Sequence, residues 1–323
     1  MRFIALLLTF GLSATSAITT PAMAADFNCA RVKIVVPYAA GGSADVAARI
    51  VADRLTKEMG KTFYVENKGG AASNIGNDYV AKSDPDGCTL LVNGTVIATF
   101  KDSFPNLRYD PFNDLTPVGG LGSTPSIILA APQLAANDIK GLVALSKSKP
   151  NGLTFAIAGY GLQQHLATVE IARRTDAKFV TVPYKGGGPA LTDVLSARVD
   201  FGTLLGGTTK AFVEQGKLKA IAVLQDKRSA LLPNVPSAAE QGFPGLLAGI
   251  QFLLFAPAKT PKGVVADISA SLYKVVGEKD LQEHFLKAGL EATPMMPEDL
   301  SKEMHALRDA YAPIIKKLDI KLN

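Results

Sequence analysis

Tryptophan is absent from the 323 residues, and aromatic side chains make up only 7% of them. Such a chain has little with which to stack the bases of a single-stranded nucleic acid. Basic residues outnumber acidic ones by 34 to 29, a formal charge of +5, without forming a basic block. That balance suits an anionic small molecule and leaves no footprint for duplex DNA, so no nucleic-acid partner is expected. Histidine occurs three times (His165, His284, His305) and cysteine twice. No contiguous motif therefore supplies a zinc site built from four cysteines, or from paired cysteines and histidines, and neither a metal nor a cofactor is expected. Beyond the N-terminus, no run of about 18 uncharged apolar residues is long enough for a membrane-spanning helix.

Familiar nucleotide and hydrolase motifs are missing too. Gly202-Thr203-Leu204-Leu205-Gly206-Gly207-Thr208 has the glycine spacing of a phosphate-binding loop, but Thr208 stands where the lysine must be. Gly159-Tyr160-Gly161-Leu162-Gln163-Gln164 lacks the third glycine of a dinucleotide fingerprint. Gly41-Gly42-Ser43-Ala44-Asp45 ends in the wrong residue for a nucleophile elbow. His165 stands near a helix start, as a general base or as a structural hydrogen-bonder, and no nucleophile or carboxylate partner is apparent in the sequence.

What is present begins with an export signal. Arg2 gives a positive n-region, Phe3 to Leu12 an apolar h-region, and Ala22-Met23-Ala24 a small-x-small cleavage site. Residues 1–24 read as a signal peptide cleaved after Ala24. Cys29, preceded by Asp26-Phe27-Asn28, does not form a lipoprotein site. The mature chain is expected to be exported and soluble, and periplasmic in a Gram-negative source. Cys29 and Cys88 each precede a strand, so parallel neighbouring strands would place both thiols at one sheet end, where an oxidising compartment joins them. Two buried free thiols remain the alternative.

The remainder alternates short apolar strands with amphipathic helices, as parallel α/β units do. Strand 31–36 runs into Pro37-Tyr38-Ala39-Ala40-Gly41-Gly42 and a helix from Ser43 that Gly60 stops. Strand 62–66, a glycine loop over 67–76, a helix through Val80 and strand 89–92 follow. A second series has strands at 127–130, 154–157, 179–182, 199–204 and 220–224. Its helices fall near 141–148, 163–174, 190–197 and 210–215, before an apolar run at 249–255. The tail is helical over 263–276 and 297–317.

One pattern recurs: Val36-Pro37-Tyr38-x-x-Gly41-Gly42 and Val182-Pro183-Tyr184-x-x-Gly187-Gly188 each end a strand and precede a helix. Chance accounts for short motifs of this kind; two similar lobes also would. Glycine-rich strand-to-helix loops expose backbone N–H groups at helix N-termini, which attract carboxylates. Five such loops occur (41–45, 67–76, 93–95, 158–162 and 185–189), and together they point to a carboxylate clamp. Asp45 is expected to support its own helix start, and Arg49 to be solvated or salt-bridged. Asn93-Gly94-Thr95, formally a glycosylation sequon, reads as a loop.

The same residues resemble the Bug-type extracytoplasmic solute-binding proteins of tripartite tricarboxylate transporters. The resemblance runs through Val35-Val36-Pro37-Tyr38-x-x-Gly41-Gly42-x-x-Asp45 and Val65-Glu66-Asn67-Lys68-x-Gly70-x-x-x-Asn74-Ile75-Gly76. It continues with Pro85-Asp86-Gly87-x-Thr89-Leu90, Tyr109-Asp110-Pro111, Gly159-x-Gly161-x-x-x-His165-Leu166 and Val182-Pro183-Tyr184-Lys185-Gly186. Lys227-Arg228-Ser229-x-Leu231-Leu232-Pro233-x-Val235-Pro236 and Phe255-Ala256-Pro257-Ala258-x-Thr260-Pro261 complete it.

The resemblance implies a two-lobed periplasmic binding protein, an α/β fold with a mainly parallel, helix-flanked sheet in each lobe and two crossing segments as hinge. Lobe 1 is expected at 25–122 and 252–323, lobe 2 at 123–251. Such a protein closes on a small carboxylate and hands it to membrane permease subunits; a monomer without catalytic activity is expected. Family members hold one carboxylate through backbone amides and small hydroxyls of loops matching Tyr38, Ala39, Ala40, Gly41, Gly42 and Ser43, and Gly159, Tyr160, Gly161 and Leu162. Asp45, Ser73, Asn93, Thr95, His165, Tyr184, Lys185, Gly186 and Thr203 complete the candidate ligand-binding set. Departures lie in specificity regions. Leu162-Gln163-Gln164 stand where serine or threonine is usual, Ala39-Ala40 where proline is common, and 202–210 lacks an Asn-x-x-Ser run. Leu162 hints at an apolar wall and a longer or aromatic carboxylate. Two other readings use the same chain: an exported α/β hydrolase acting through His165, and a ligand sensor for a membrane kinase.

Overall fold

The computed structural model describes residues 27–159, 162–184 and 186–317. The signal-peptide reading, with its cleavage site, and the candidates Tyr160, Gly161 and Lys185 lie outside the described residues.

In chain order the elements are β1 (Arg31–Val36), α1 (Ser43–Met59), β2 (Thr62–Asn67), α2 (Asn74–Ala81), β3 (Thr89–Gly94), α3 (Phe100–Ser103) and β4 (Leu115–Ala130). Then come α4 (Ile139–Ser148), β5 (Leu153–Ile157), α5 (Gln163–Thr175), β6 (Phe179–Pro183), α6 (Gly187–Leu195), β7 (Phe201–Leu205), α7 (Gly206–Glu214) and β8 (Lys219–Val223). β9 (Gly249–Pro257), α8 (Lys262–Gly277), α9 (Lys279–Lys287), β10 (Glu291–Ala292) and α10 (Pro297–Lys317) close the chain.

Two sheets share one long strand. The strand order is β2-β1-β3-β9-β4-β7-β5-β6, with β10 and β8 also on β4. β1 lies parallel to β2 and β3, and β5 parallel to β6 and β7. β9 and β4 run antiparallel to those neighbours. Each lobe is thus parallel in its outer three strands and antiparallel where the chain crosses.

Side-chain alternation explains the layering, since successive strand residues point to opposite sheet faces. Ile34 and Leu90 join one core with α1 and α8, while Val35 and Leu91 join a second with α2 and α10. In the other lobe Phe155 and Ile128 pack with α4 and α5, and Ala156 and Ile127 with α6. Gly60 ends α1 in a left-handed conformation, φ 64°, with its N–H on Thr56 O, as its position in the sequence predicts.

Because β1 and β3 are parallel neighbours, Cys29 and Cys88 lie at the same sheet end. They form a disulfide with Cα atoms 5.5 Å apart, which removes the free-thiol alternative.

Several elements depart from expectation. The strand expected at 127–130 begins twelve residues earlier, at Leu115. Pro117, Gly119, Gly120, Gly122 and Pro125 hide it, for proline and glycine ordinarily argue against a central strand. Here β-bulges absorb them, and the glycines admit close neighbours. A Cβ on Gly120 would lie 2.4 Å from Thr293 O, and one on Gly122 2.3 Å from the Phe285 ring. Helix α9, which supplies Phe285, was not expected either, nor were α3 and β10.

The register also places the loops. β1, β2 and β3 end at one edge of their sheet, and β5, β6 and β7 at one edge of theirs. β9 starts at that first edge, Phe252 opposite Gly94. β4 leaves it through Gly122–Pro125 and enters the second sheet with Ser126 opposite Leu205, at the carboxyl end of β7. The crossing strands therefore join carboxyl edge to carboxyl edge, and the glycine loops of both lobes flank the same crossover.

Candidate functional site

In the first lobe, β1 delivers the loop Pro37–Gly42 to the crossover edge. Ala39, Ala40, Gly41 and Gly42 are exposed, and Gly41 has φ 84°, a conformation that a side chain disfavours. Gly42 stands at the N-cap of α1 with no side-chain cap, leaving first-turn N–H groups open beside half-buried Ser43.

Asp45 is buried and faces inward. Its carboxylate accepts from Gly41 N at 2.9 Å, Arg49 Nε at 3.0 Å and Asn67 Nδ2 at 2.9 Å. Burial alone would raise its pKa, but Arg49, the Gly41 N–H and Asn67 together hold it below the usual carboxylate range. Asn67 also donates to Tyr38 O at 3.1 Å and accepts from Arg49 at 3.0 Å. The expectation that Asp45 supports its own helix start agrees with this arrangement, and Arg49 is salt-bridged.

The second loop, after β2, contains an unusual turn. Gly70, Ala71, Ala72 and Ser73 have φ of 125°, 46°, 50° and 78° in succession. Left-handed backbone costs a non-glycine residue on the order of 1–2 kcal/mol. Such strain persists only where surroundings over-determine it, and it clusters at ligand sites.

Ser73, Asn93 and Thr95 are buried, at 2%, 0% and 4% exposure. Burial of the Tyr38 phenol pushes its pKa up to about 12, opposed by its hydrogen bond with Ser73. Its hydroxyl donates to Asn93 Oδ1 at 2.6 Å. Beneath them lie Asn77 and Tyr109, whose phenol is also pushed up by burial, despite the hydrogen bond from Asn77. Asn93 and Gly94, expected in a loop, are instead the last residues of β3, paired with Leu253 and Phe252 of β9, and both Asn93 amide atoms are engaged within the protein.

In the second lobe Leu162 occupies the N-cap of α5, contributes no side-chain cap and is 37% exposed. Gly159 lies against it: a Cβ there would sit 3.4 Å from Leu162 Cδ1. His165 is half-buried, its ring stacked 6.3 Å from Phe155, and burial holds its pKa below the ordinary histidine value. Gly186 (φ 109°) binds Ala158 O through its N–H at 3.0 Å, and Tyr184 N binds Ile157 O at 2.9 Å. These bonds join the β5 and β6 loops. The Tyr184 hydroxyl turns to Asp193 Oδ2 at 2.7 Å; burial first, and that carboxylate next, push its pKa up to about 12. Thr203 is fully buried, 2.7 Å from Thr168 Oγ1, which itself donates to Gln164 O at 3.0 Å.

The structure thus brings Tyr38, Ser73 and Asn93 into one network, and gathers Gly159, Leu162, Tyr184 and Gly186 on adjoining loops. Thr203 sits beneath α5. Asn67, Asn74, Asn77 and Tyr109 were not among the expected site residues. The first two and Tyr109 stand within quoted motifs, whereas nothing in the sequence marks Asn77. Among the described residues the only grouped metal-type ligands are Cys29, Asp86 and Cys88, two of them spent in the disulfide.

The family described as TctC, tripartite tricarboxylate transporter family receptor, matches residues 47–320. The chain belongs to that family. Protein BugT of Bordetella pertussis is 33% identical over 285 residues, 88% of this chain and 87% of BugT. Among solved structures, the periplasmic binding protein BugD is 33% identical with a TM-score of 0.73, covering 90% of this chain and 98% of its own. Rpa4515 of R. palustris, solved with adipate, is 28% identical with a TM-score of 0.76, over 88% of this chain and 96% of its own. MatC of Rhodopseudomonas palustris, solved with bound malate, is 29% identical with a TM-score of 0.70, over 88% and 99%. The expected family and the two-lobed periplasmic binding protein fold are both borne out. TctC proteins are substrate-binding receptors, and no helix among the described residues is long and apolar enough to cross a membrane.

Proposed function

We propose that this TctC protein captures a small organic carboxylate between its lobes in the periplasm and delivers it to the permease subunits of a tripartite tricarboxylate transporter, with no bond made or broken. Lobe 1 comprises 25–122 and 252–323, and lobe 2 comprises 123–251. Residues 1–24 are the export signal, cleaved after Ala24. The ligand contacts come from Tyr38–Ser43 and Ser73 on one side, and from 159–162, His165 and 184–186 on the other.

The observation that carries this reading is the meeting of α1, α5 and α6 at one crossover, none with a side-chain cap. Uncapped helix starts converging from two lobes offer N–H donors and dipole ends to an anion. Relatives solved with adipate and malate support the ligand class. Lobe closure by rotation about β4 and the chain entering β9 supplies capture.

A thermal-shift and calorimetric screen of mono-, di- and tricarboxylates, malate and adipate included, tests this. Binding stabilises by about 2.7 kcal/mol at 100 times Kd. At least one acid should bind with one-to-one stoichiometry and be recovered unchanged after hours. Failure of every acid to bind, or conversion of a bound one, overturns the proposal.

A further inference from the structure

Below the first-lobe loops lies a set of side-chain hydrogen bonds whose direction is determined by a backbone donor. Gly94 N–H meets Asn93 Oδ1 at 2.7 Å, which identifies the oxygen end of that amide. The Tyr38 hydroxyl, 2.6 Å from the same oxygen, must donate to it. Asn93 Nδ2 then donates to Asn77 Oδ1 at 2.7 Å. With its oxygen occupied, Asn77 turns Nδ2 to the Tyr109 hydroxyl at 2.8 Å and to Ser73 Oγ at 3.3 Å. Both hydroxyls accept, so each sends its own proton elsewhere. Tyr109 donates to Asn74 Oδ1 at 3.1 Å.

The result is a chain, Tyr38–Asn93–Asn77–Ser73, with a branch through Tyr109 to Asn74. Asn77 and Asn93 are completely buried, Ser73 and Tyr109 nearly so. Asn77 is the junction. It alone reaches the turn 70–73 through Ser73, the Tyr38 loop through Asn93, and the Tyr109 segment directly. Three successive non-glycine residues in left-handed conformation need an external restraint, and the Asn77–Ser73 bond supplies one where the turn enters α2.

We propose that Asn77 is a positioning residue for ligand capture. It touches no ligand; through Asn93 and Ser73 it holds the Tyr38 loop and the left-handed turn in the arrangement that presents their N–H groups to the cleft. This rests on the carboxylate-capture reading for its consequence and on these hydrogen bonds alone for its geometry.

Asn77→Asp separates positioning from core filling. The carboxylate keeps the size and the acceptor for Asn93 but has no N–H for Ser73 or Tyr109. Protonated, it regains one donor, and burial favours that neutral form. The expected result is a loss of affinity for malate or adipate of about tenfold or more at about pH 8, the scale of a buried hydrogen bond left unmade. The deficit should shrink toward about pH 6, a profile that the wild type does not show. Without ligand, amide exchange should quicken over 38–43 and 70–76 and stay unchanged in lobe 2. Wild-type affinity at about pH 8, or wild-type exchange in both windows, overturns the assignment. Should Asn77→Asp not fold, Tyr109→Phe, which deletes one Asn77 partner at nearly constant volume, carries the same exchange test. A wild type that binds neither acid refutes the capture reading, and the two exchange windows then decide the positioning role separately.

Discussion

Deleting the Cys29–Cys88 bridge measures how far the first lobe depends on a covalent tie. The bridge spans 59 residues of sequence and joins the starts of the parallel neighbours β1 and β3. On the loop-closure account, a tie of that length restricts the unfolded chain by about 4 kcal/mol. The folded side loses little by comparison. The turn before Cys88 is held by packing, since a Cβ on Gly87 would lie 2.5 Å from Val264 and 3.1 Å from the Phe27 ring. At about 2–4 °C per kcal/mol for a chain of this size, the melting temperature should fall by roughly 8–16 °C. Scanning calorimetry of the Cys29→Ala, Cys88→Ala double variant is the assay, because it leaves no lone buried thiol. The proposed ligand loops lie at the opposite ends of these strands, so affinity should stay within about twofold of wild type. A double variant melting within about 2 °C of wild type would refute the loop-closure reasoning.

Asp45 sets an acid limit. Its folded pKa is depressed, so its stabilisation is present above the unfolded value near 4 and is lost as pH falls through the lower folded value. Asp45→Asn should cost about 1–3 kcal/mol at neutral pH and flatten the acid limb of urea-unfolding curves; an unchanged limb counts against the assigned bonds. Gly122→Ala should destabilise by about 1–3 kcal/mol, because its Cβ would meet the Phe285 ring at 2.3 Å and Glu291 O at 2.8 Å; chemical denaturation reads this directly. His165→Ala should weaken acid binding by about 1–3 kcal/mol at most. Mass balance should return the acid unchanged from variant and wild type alike, and His165-dependent conversion would restore the hydrolase reading.

Periodicity made most of the fold legible. Continuous apolar runs such as Ile34-Val35-Val36 mark strands buried on both faces, and Gly60 marks the end of α1 by the left-handed turn that it permits. β4 was not legible over 115–126, because its prolines and glycines serve contacts that a linear pattern does not contain. Gly119, Gly120 and Gly122 are required by Leu272, Thr293 and Phe285, all more than 150 residues away in sequence. The recurring Val-Pro-Tyr pattern is instructive for a different reason. It places Tyr38 and Tyr184 at equivalent strand ends, yet Tyr38 donates inward to Asn93 while Tyr184 donates to Asp193 on the following helix. Equivalent position did not mean equivalent role.

The site divides along the same physical line. Small polar side chains such as Asn93 and Thr203 are natural nominees for ligand contacts when only residue type is visible. Once buried, each must find a partner or incur a desolvation penalty. Their partners, Asn77 and Thr168 among them, come from elsewhere in the same lobe. What remains at the crossover edge, on the proposed reading, is backbone: N–H groups of loops rich in glycine and alanine, which any residue but proline can supply. Residue identity therefore records where the backbone must bend, through Gly41 and Gly186, more clearly than which group is bound. On the proposed reading, ligand class follows from the convergence of uncapped helix starts, and discrimination among acids falls to side chains left exposed beside them, Leu162 and Ile75 among these.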